Sequence, residues 1–72
     1  MTAYRLDIVT SGIPEPLYTE TFEVPSEGAA RRLARRSTKE LVGNPEEERG
    51  ELYVGDEHVA TISLARDGED AR

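Results

Sequence analysis

Cysteine is absent from this chain, so neither a disulfide framework nor a thiolate metal site can hold it together. Tryptophan is absent too, and Met1 and Phe22 are the single examples of their kinds. No apolar run approaches the roughly 18 residues of a transmembrane helix. Arg5 and Asp7 interrupt the apolar start, which excludes an ordinary signal peptide and makes the cytoplasm the expected compartment. The sequence carries no Gly-rich phosphate loop, no Cys-His or Ser-His constellation and no pair of histidines at helical spacing. What remains is 72 residues with 36% hydrophobic and 33% charged content, enough for one small domain whose stability must come from packing or from a partner. Spaced Ile, Leu, Val, Phe and Tyr argue against disorder throughout.

Charge is distributed in blocks. Residues 1–25 hold one base against four acids, residues 26–42 five bases against two acids, and residues 43–72 three bases against nine acids, within a total of −6. A basic segment therefore lies between two acidic ones.

Tyr4 to Thr10 alternates, with Tyr4, Leu6 and Ile8 on one side and Arg5, Asp7 and Val9 on the other, which predicts a half-buried strand. Ser11 to Pro16, with Gly12, Pro14 and Pro16, reads as a hairpin loop. Leu17 to Val24 is a second strand with Phe22 and Val24 inward, and its register also turns Glu20 inward, as suits an edge strand. Pro25 ends it. Ser26 is a good N-cap and Glu27 stands at the positive end of the following helix, which is expected to run to about Val42 with Gly43 at C′. At 100° per residue, Ala29, Ala30, Leu33, Ala34, Ser37 and Leu41 fall on one side, and Arg31, Arg32, Arg35, Arg36 and Lys39 on the other. Leu33 is the expected centre of the buried side.

Asn44 to Gly50 reads as one further turn capped by Asn44, with Pro45 at its first position. Leu52 and Val54 then face inward from a short strand. Gly55, Asp56 and Glu57 form a turn, and Val59 to Ala65 is a fourth strand with Ala60, Ile62 and Leu64 inward. The expected core is Leu6, Ile8, Phe22, Val24, Leu33, Leu52, Val54, Ile62 and Leu64. Residues 1–65 form the domain and 66–72 a frayed charged tail.

The class is α+β, ββαββ, with one helix covering one face of a four-stranded sheet. Strands one and four are the richest, so a mixed sheet in order 2-1-4-3 is expected, with 2-1-3-4 as the rival. This layout over residues 4–65 resembles the β-grasp arrangement of ubiquitin-like and protein G-like domains, on element order alone. Ubiquitin-like carriers activated at the C-terminus end in Gly-Gly, whereas here Gly68 is followed by Glu69 and Asp70, so carrier chemistry is not implied.

For function, the composition favours a small non-enzymatic interaction module: an accessory, regulatory or inhibitor protein. Its expected partner is a protein, bound through Arg31, Arg32, Arg35, Arg36 and Lys39 or through an exposed sheet edge. Nucleic-acid binding by the same helix face is the alternative, although no aromatic residue interleaves the stripe to stack on bases. The bland explanation is a solvated face neutralised by the chain's own acids, beginning with Glu27 and Arg31 at helical i,i+4 spacing. Membrane binding is not expected, because the apolar side of the helix is needed for the core. Val9, Tyr53 and Val59 on the uncovered sheet face mark a site of possible self-association, so the expected state is a monomer or weak homodimer. Asp56, Glu57 and His58, or the run Glu46, Glu47 and Glu48, would be needed for a minimal enzyme or metal protein. Consecutive residues in a turn or a first helical turn aim poorly at one ion, so no metal and no cofactor is expected.

Overall fold

The computed structural model describes residues 1–64 and the short segment Gly68–Glu69. Strand β1 spans Thr2–Thr10, β2 Ile13–Val24, helix α1 Glu27–Leu41, β3 Glu48–Val54, β4 Glu57–Ser63, and β5 Gly68–Glu69. The sheet order is β2-β1-β3-β4, extended by the two residues of β5, and every neighbouring pair is antiparallel. The α+β class and ββαββ order are as the sequence predicts. The order 2-1-4-3 is not: β3, rather than β4, lies beside β1. The parallel central pair of a β-grasp sheet is therefore missing, and the likeness to that arrangement ends at the order of elements.

The reason lies in the length of β3. In the sequence this strand shows only Leu52 and Val54 as inward residues, so the richer fourth strand is expected beside β1 in its place. In the structure β3 begins at Glu48, and its ladder with β1 runs from Arg5↔Tyr53 to Thr10↔Glu48. Since β2 and β3 both run antiparallel to β1, they run parallel to each other, and such a pair requires a long crossover. Residues 25–47 supply it.

Both hairpin turns are tighter than expected. Thr10 pairs with Ile13 around Ser11 and Gly12, and Val54 pairs with Glu57 around Gly55 and Asp56. Gly12 (φ 84°) and Gly55 (φ 61°) take the left-handed backbone that two-residue turns demand. Pro14 and Pro16 lie within β2, where β1 advances from Ile8 to Thr10 while β2 runs from Tyr18 back to Ile13. The surplus residues are accommodated because β2 is an edge strand, where proline's missing N–H leaves no neighbour unpaired. Glu20, opposite Leu6, lies on the helix side of this edge as its register predicts.

Helix α1 begins as expected: Ser26 accepts the Ala29 N–H at 3.2 Å. Its end differs. Val42 caps it in extended backbone, its N–H bonding to the Thr38 carbonyl, and the Gly43 N–H donates to Glu48 Oε1 at 2.9 Å. Gly43 is not among the glycines with positive φ, so no left-handed C′ residue forms. Of the helical turn expected over Asn44 to Gly50, only a short turn at residues 45–47 forms, because Glu48 to Gly50 already belong to β3. Asn44 accepts the Glu46 N–H on its side chain and the Glu47 and Glu48 N–H groups on its carbonyl. The Glu47 carbonyl in turn accepts from the Thr10 hydroxyl and the Ser11 N–H, tying this turn to the β1–β2 turn.

The core consists of Tyr4, Leu6, Ile8 and Val24 from the first hairpin, Leu52, Ala60 and Ile62 from the second, and Ala30 and Ala34 from α1. Phe22, Leu33, Val54 and Leu64 pack around it, partly buried. Leu33 is thus a flanking residue, not the centre of the helix contact. The centre holds small residues: Ala30, Ala34 and Thr38 are fully buried. Thr38 satisfies its hydroxyl on the Ala34 carbonyl at 2.7 Å and sits directly over Gly50. A Cβ at Gly50 would overlap the Thr38 hydroxyl and press on Leu6 Cδ1 at 3.2 Å. The tail expected at 66–72 lies outside the described residues except for Gly68 and Glu69, which pair with β4.

Gly50→Ala should cost about 1–3 kcal/mol through overpacking, read as a fall in urea midpoint. Thr38→Ala in that background should restore part of the loss by vacating the volume the new methyl needs. A Gly50→Ala protein as stable as the parent would refute the close approach.

Candidate functional site

Two surfaces carry chemistry: the sheet face not covered by α1, and the outer side of α1. On the uncovered face, cross-strand pairing places Asp7 opposite Glu51 and Arg5 opposite Tyr53. Two acids facing each other across a ladder repel, and each is held by its own donors. Asp7 Oδ1 accepts from Thr19 at 3.1 Å and lies 3.3 Å from Arg5 Nε. Glu51 Oε1 accepts from Thr61 at 2.7 Å and lies 2.6 Å from His58 Nε2, while its Oε2 accepts from Arg49 Nε at 2.7 Å. The Arg5 guanidinium lies 4.4 Å over the Tyr53 ring, and His58 meets that ring edge-on at 5.3 Å. Arg5 Nε is buried without an aligned hydrogen bond, leaving it to the Coulombic attraction of Asp7.

Burial alone would raise the Glu51 carboxyl. Hydrogen bonds from Thr61, Arg49 and His58, with the Arg49 charge, outweigh it and hold the group below the ordinary glutamate range. An ionised carboxylate only accepts, so His58 Nε2 carries the proton that it shares with Glu51. A general base works best with a pKa near the operating pH, and Glu51 is displaced the opposite way. The cluster is a self-satisfied polar network that lets a sheet face stand in water.

The residues singled out in the sequence are distributed as follows. Asp56 lies in the turn, Glu57 is exposed at the start of β4, and His58 turns to Glu51, so the run does not converge. Glu48 and the backbones of Glu46 and Glu47 are used in holding the Asn44 turn. Among the described residues, no three His, Cys, Asp or Glu side chains are grouped to hold a metal ion. Val9 and Tyr53 belong to the uncovered face, but Val59 does not. Leu52 pairs with Ala60 and Tyr53 with His58, so Val59 is the extra residue of a β-bulge, and it packs against the core. The three do not form one patch.

The basic helix residues divide into two groups. Arg31, 27% exposed in its side chain, leans toward β4. Its Nη2 donates to Glu27 Oε2 at 2.9 Å and to the Val59 carbonyl at 3.3 Å. Arg32, Arg35, Arg36 and Lys39 meet no acid at ion-pair distance among the described residues. Arg32 and Arg36, one helical turn apart, lean toward β2. With Ala29, Leu33 and Val24 they line an open pocket of about 270 Å³. Sequence reasoning missed this pocket because Val24 and Leu33 count as core in any apolar pattern. It also missed the Glu51 network. The period-two run Arg49, Glu51, Tyr53 signals it only once β3 is extended back to Glu48.

No described helix is long and apolar enough to cross a membrane. Compared with family models, with curated proteins and with solved structures, the chain matches none of them.

The Glu51 network predicts an acid-side stability step. The folded carboxyl titrates below its unfolded value of about 4.5, so its contribution is complete above that pH and is lost as pH falls through the folded value. Glu51→Gln should destabilise the protein by about 1–2 kcal/mol at pH 7. The gap from the parent should close in acid. A gap that stays constant from pH 7 to pH 2.5 in urea titrations would contradict the assignment.

Proposed function

We propose that this protein is a small non-enzymatic interaction module, of accessory, regulatory or inhibitory type, that binds an acidic protein surface through the outer side of α1. The observation that carries this reading is the set of four cations, Arg32, Arg35, Arg36 and Lys39, without acidic partners among the described residues, in a protein of net charge −6. Among the described residues, neutralisation by the chain's own acids accounts for Arg31, paired to Glu27, and for none of these four. The opposite sheet face, by contrast, spends its charges on itself. Folding asks only for polarity on an outer helix face. Arginine adds a planar fork suited to bidentate carboxylate contacts.

Nucleic acid is the second reading, and the charge distribution weighs against it. Phosphate contacts favour a basic domain, and this protein carries a net charge of −6. A bounded acidic patch on a protein engages the stripe without bringing further like charge against the remaining acids.

Arg32→Glu with Arg35→Glu should leave the protein folded, since Arg32 is exposed, Arg35 is only half-buried, and neither meets an acid at ion-pair distance among the described residues. Proteins captured from the native host by the parent should be lost with the variant, and capture by the parent should weaken as salt rises. Cross-links from Lys39 should map to acidic segments of the captured protein. Equal capture by both forms, or capture of DNA and RNA with steep salt dependence in place of protein, would overturn the reading.

A further inference from the structure

The pocket beside Arg32 and Arg36 adjoins the outer edge of β2. Strand β2 pairs with β1 on one side and with nothing among the described residues on the other. Unpaired edges are normally blunted, and β2 is blunted unevenly. Pro14, Pro16 and the helix-side Glu20 protect its first two thirds. From Thr21 to Val24 there is neither proline nor inward charge. Glu23, opposite Ala3, lies on the far face of the sheet, because Phe22 and Val24 take the helix side. At this unprotected end Val24 forms one wall of the pocket, and the helix flank of Ala29, Arg32, Leu33 and Arg36 forms the other. The floor is apolar and the rim carries two guanidinium groups.

We infer that an extended segment of a partner protein adds to β2 at Thr21–Val24 and places one apolar and one acidic side chain, two residues apart, against this pocket. The inference rests on the proposed acidic partner and specifies how it is held. Alternate residues of an added strand point to the same face, about 7 Å apart. An apolar side chain therefore reaches the floor of Val24, Ala29 and Leu33 while the next residue on that face presents a carboxylate to Arg32 and Arg36. Charge complementarity selects this occupant over a second copy of the chain: β2 carries Glu15, Glu20 and Glu23 and no base, so pairing with its own kind would set acids against acids.

The test uses two fluorescent probes with the intact protein. One is a nine-residue peptide with leucine and glutamate alternating on one strand face and threonine on the other. The second is a nine-residue polyglutamate. Anisotropy should show the alternating peptide binding at least tenfold more tightly than polyglutamate. Arg32→Glu with Arg36→Glu, both exposed positions, should weaken it tenfold or more, and Ala29→Glu should remove the preference over polyglutamate. Amides within Thr21–Val24 should gain hydrogen-exchange protection when the peptide binds. Equal binding of the two probes, or binding without new protection in that stretch, overturns the inference and leaves an unspecific basic stripe. Absence of binding by either probe overturns it as well. Loss of host-protein capture by the Arg32 and Arg35 variant would still uphold the wider reading, which falls if capture is retained or if nucleic acid is captured in place of protein.

Discussion

The seating of Thr38 over Gly50 is the contact on which the rest of this structure depends. A helix lies close to a sheet only where both surfaces are small, and here Ala30, Ala34 and Thr38 are fully buried and Thr38 meets a strand residue without a Cβ. Close packing of this kind makes up for a small core. It also fixes rotation of the helix about its axis. With the Thr38 side directed at Gly50, Leu33 can only flank the core, and Arg32 and Arg36 must lean over β2 while Arg31 leans over β4. The placement of the cations follows from two uncharged residues.

The same geometry divides the molecule into two electrostatic faces of different kind. On the open sheet face, acids brought together by the register of β1 and β3 are each answered by a nearby donor, and the Glu51 carboxyl is held ionised by three of them. Such a face has little remaining hydrogen-bonding capacity to offer. On the outer side of α1, Arg32, Arg35, Arg36 and Lys39 meet no acid at ion-pair distance among the described residues, and Arg32 and Arg36 lie beside an apolar hollow. Where a protein of this composition leaves charge unanswered, the cost of bringing up an oppositely charged surface is lowest.

Much of this was legible in the residues. Period two announced β1, the Ser26 cap and the segregation of alanine from arginine at 100° per residue announced α1, and Glu20 marked β2 as an edge. The sheet order was not legible, because hydrophobic richness is a poor guide when a strand's outer half is polar. Arg49 and Glu51 conceal β3 by belonging to the uncovered face, and Gly50 conceals it by supplying space instead of side chain. The prolines misled in the opposite direction. They break central strands but not edges, so β2 starts earlier than they suggest. The pocket could not be seen at all, since nothing in an apolar pattern tells a wall residue such as Val24 from one closed over by its neighbours.

These features bear on why the basic face can be treated as separate from the fold. The residues that hold α1 in place are Ala30, Ala34, Ser37 and Thr38, with Arg31 anchored to Glu27 and to the Val59 carbonyl at the β4 side. Arg32, Arg36 and Lys39 are exposed, and Arg35 is half-buried. Side chains that do nothing for folding are free to drift among all polar residues, and a polyampholytic mixture would suit an exposed helix best, through i,i+4 pairs of opposite sign. The outer face carries the reverse, like charges at adjacent positions and at Arg32 and Arg36 one turn apart, an arrangement that mildly destabilises the helix. A partner's carboxylates would remove that repulsion on binding, so the cost borne by the free protein becomes part of the affinity of the complex.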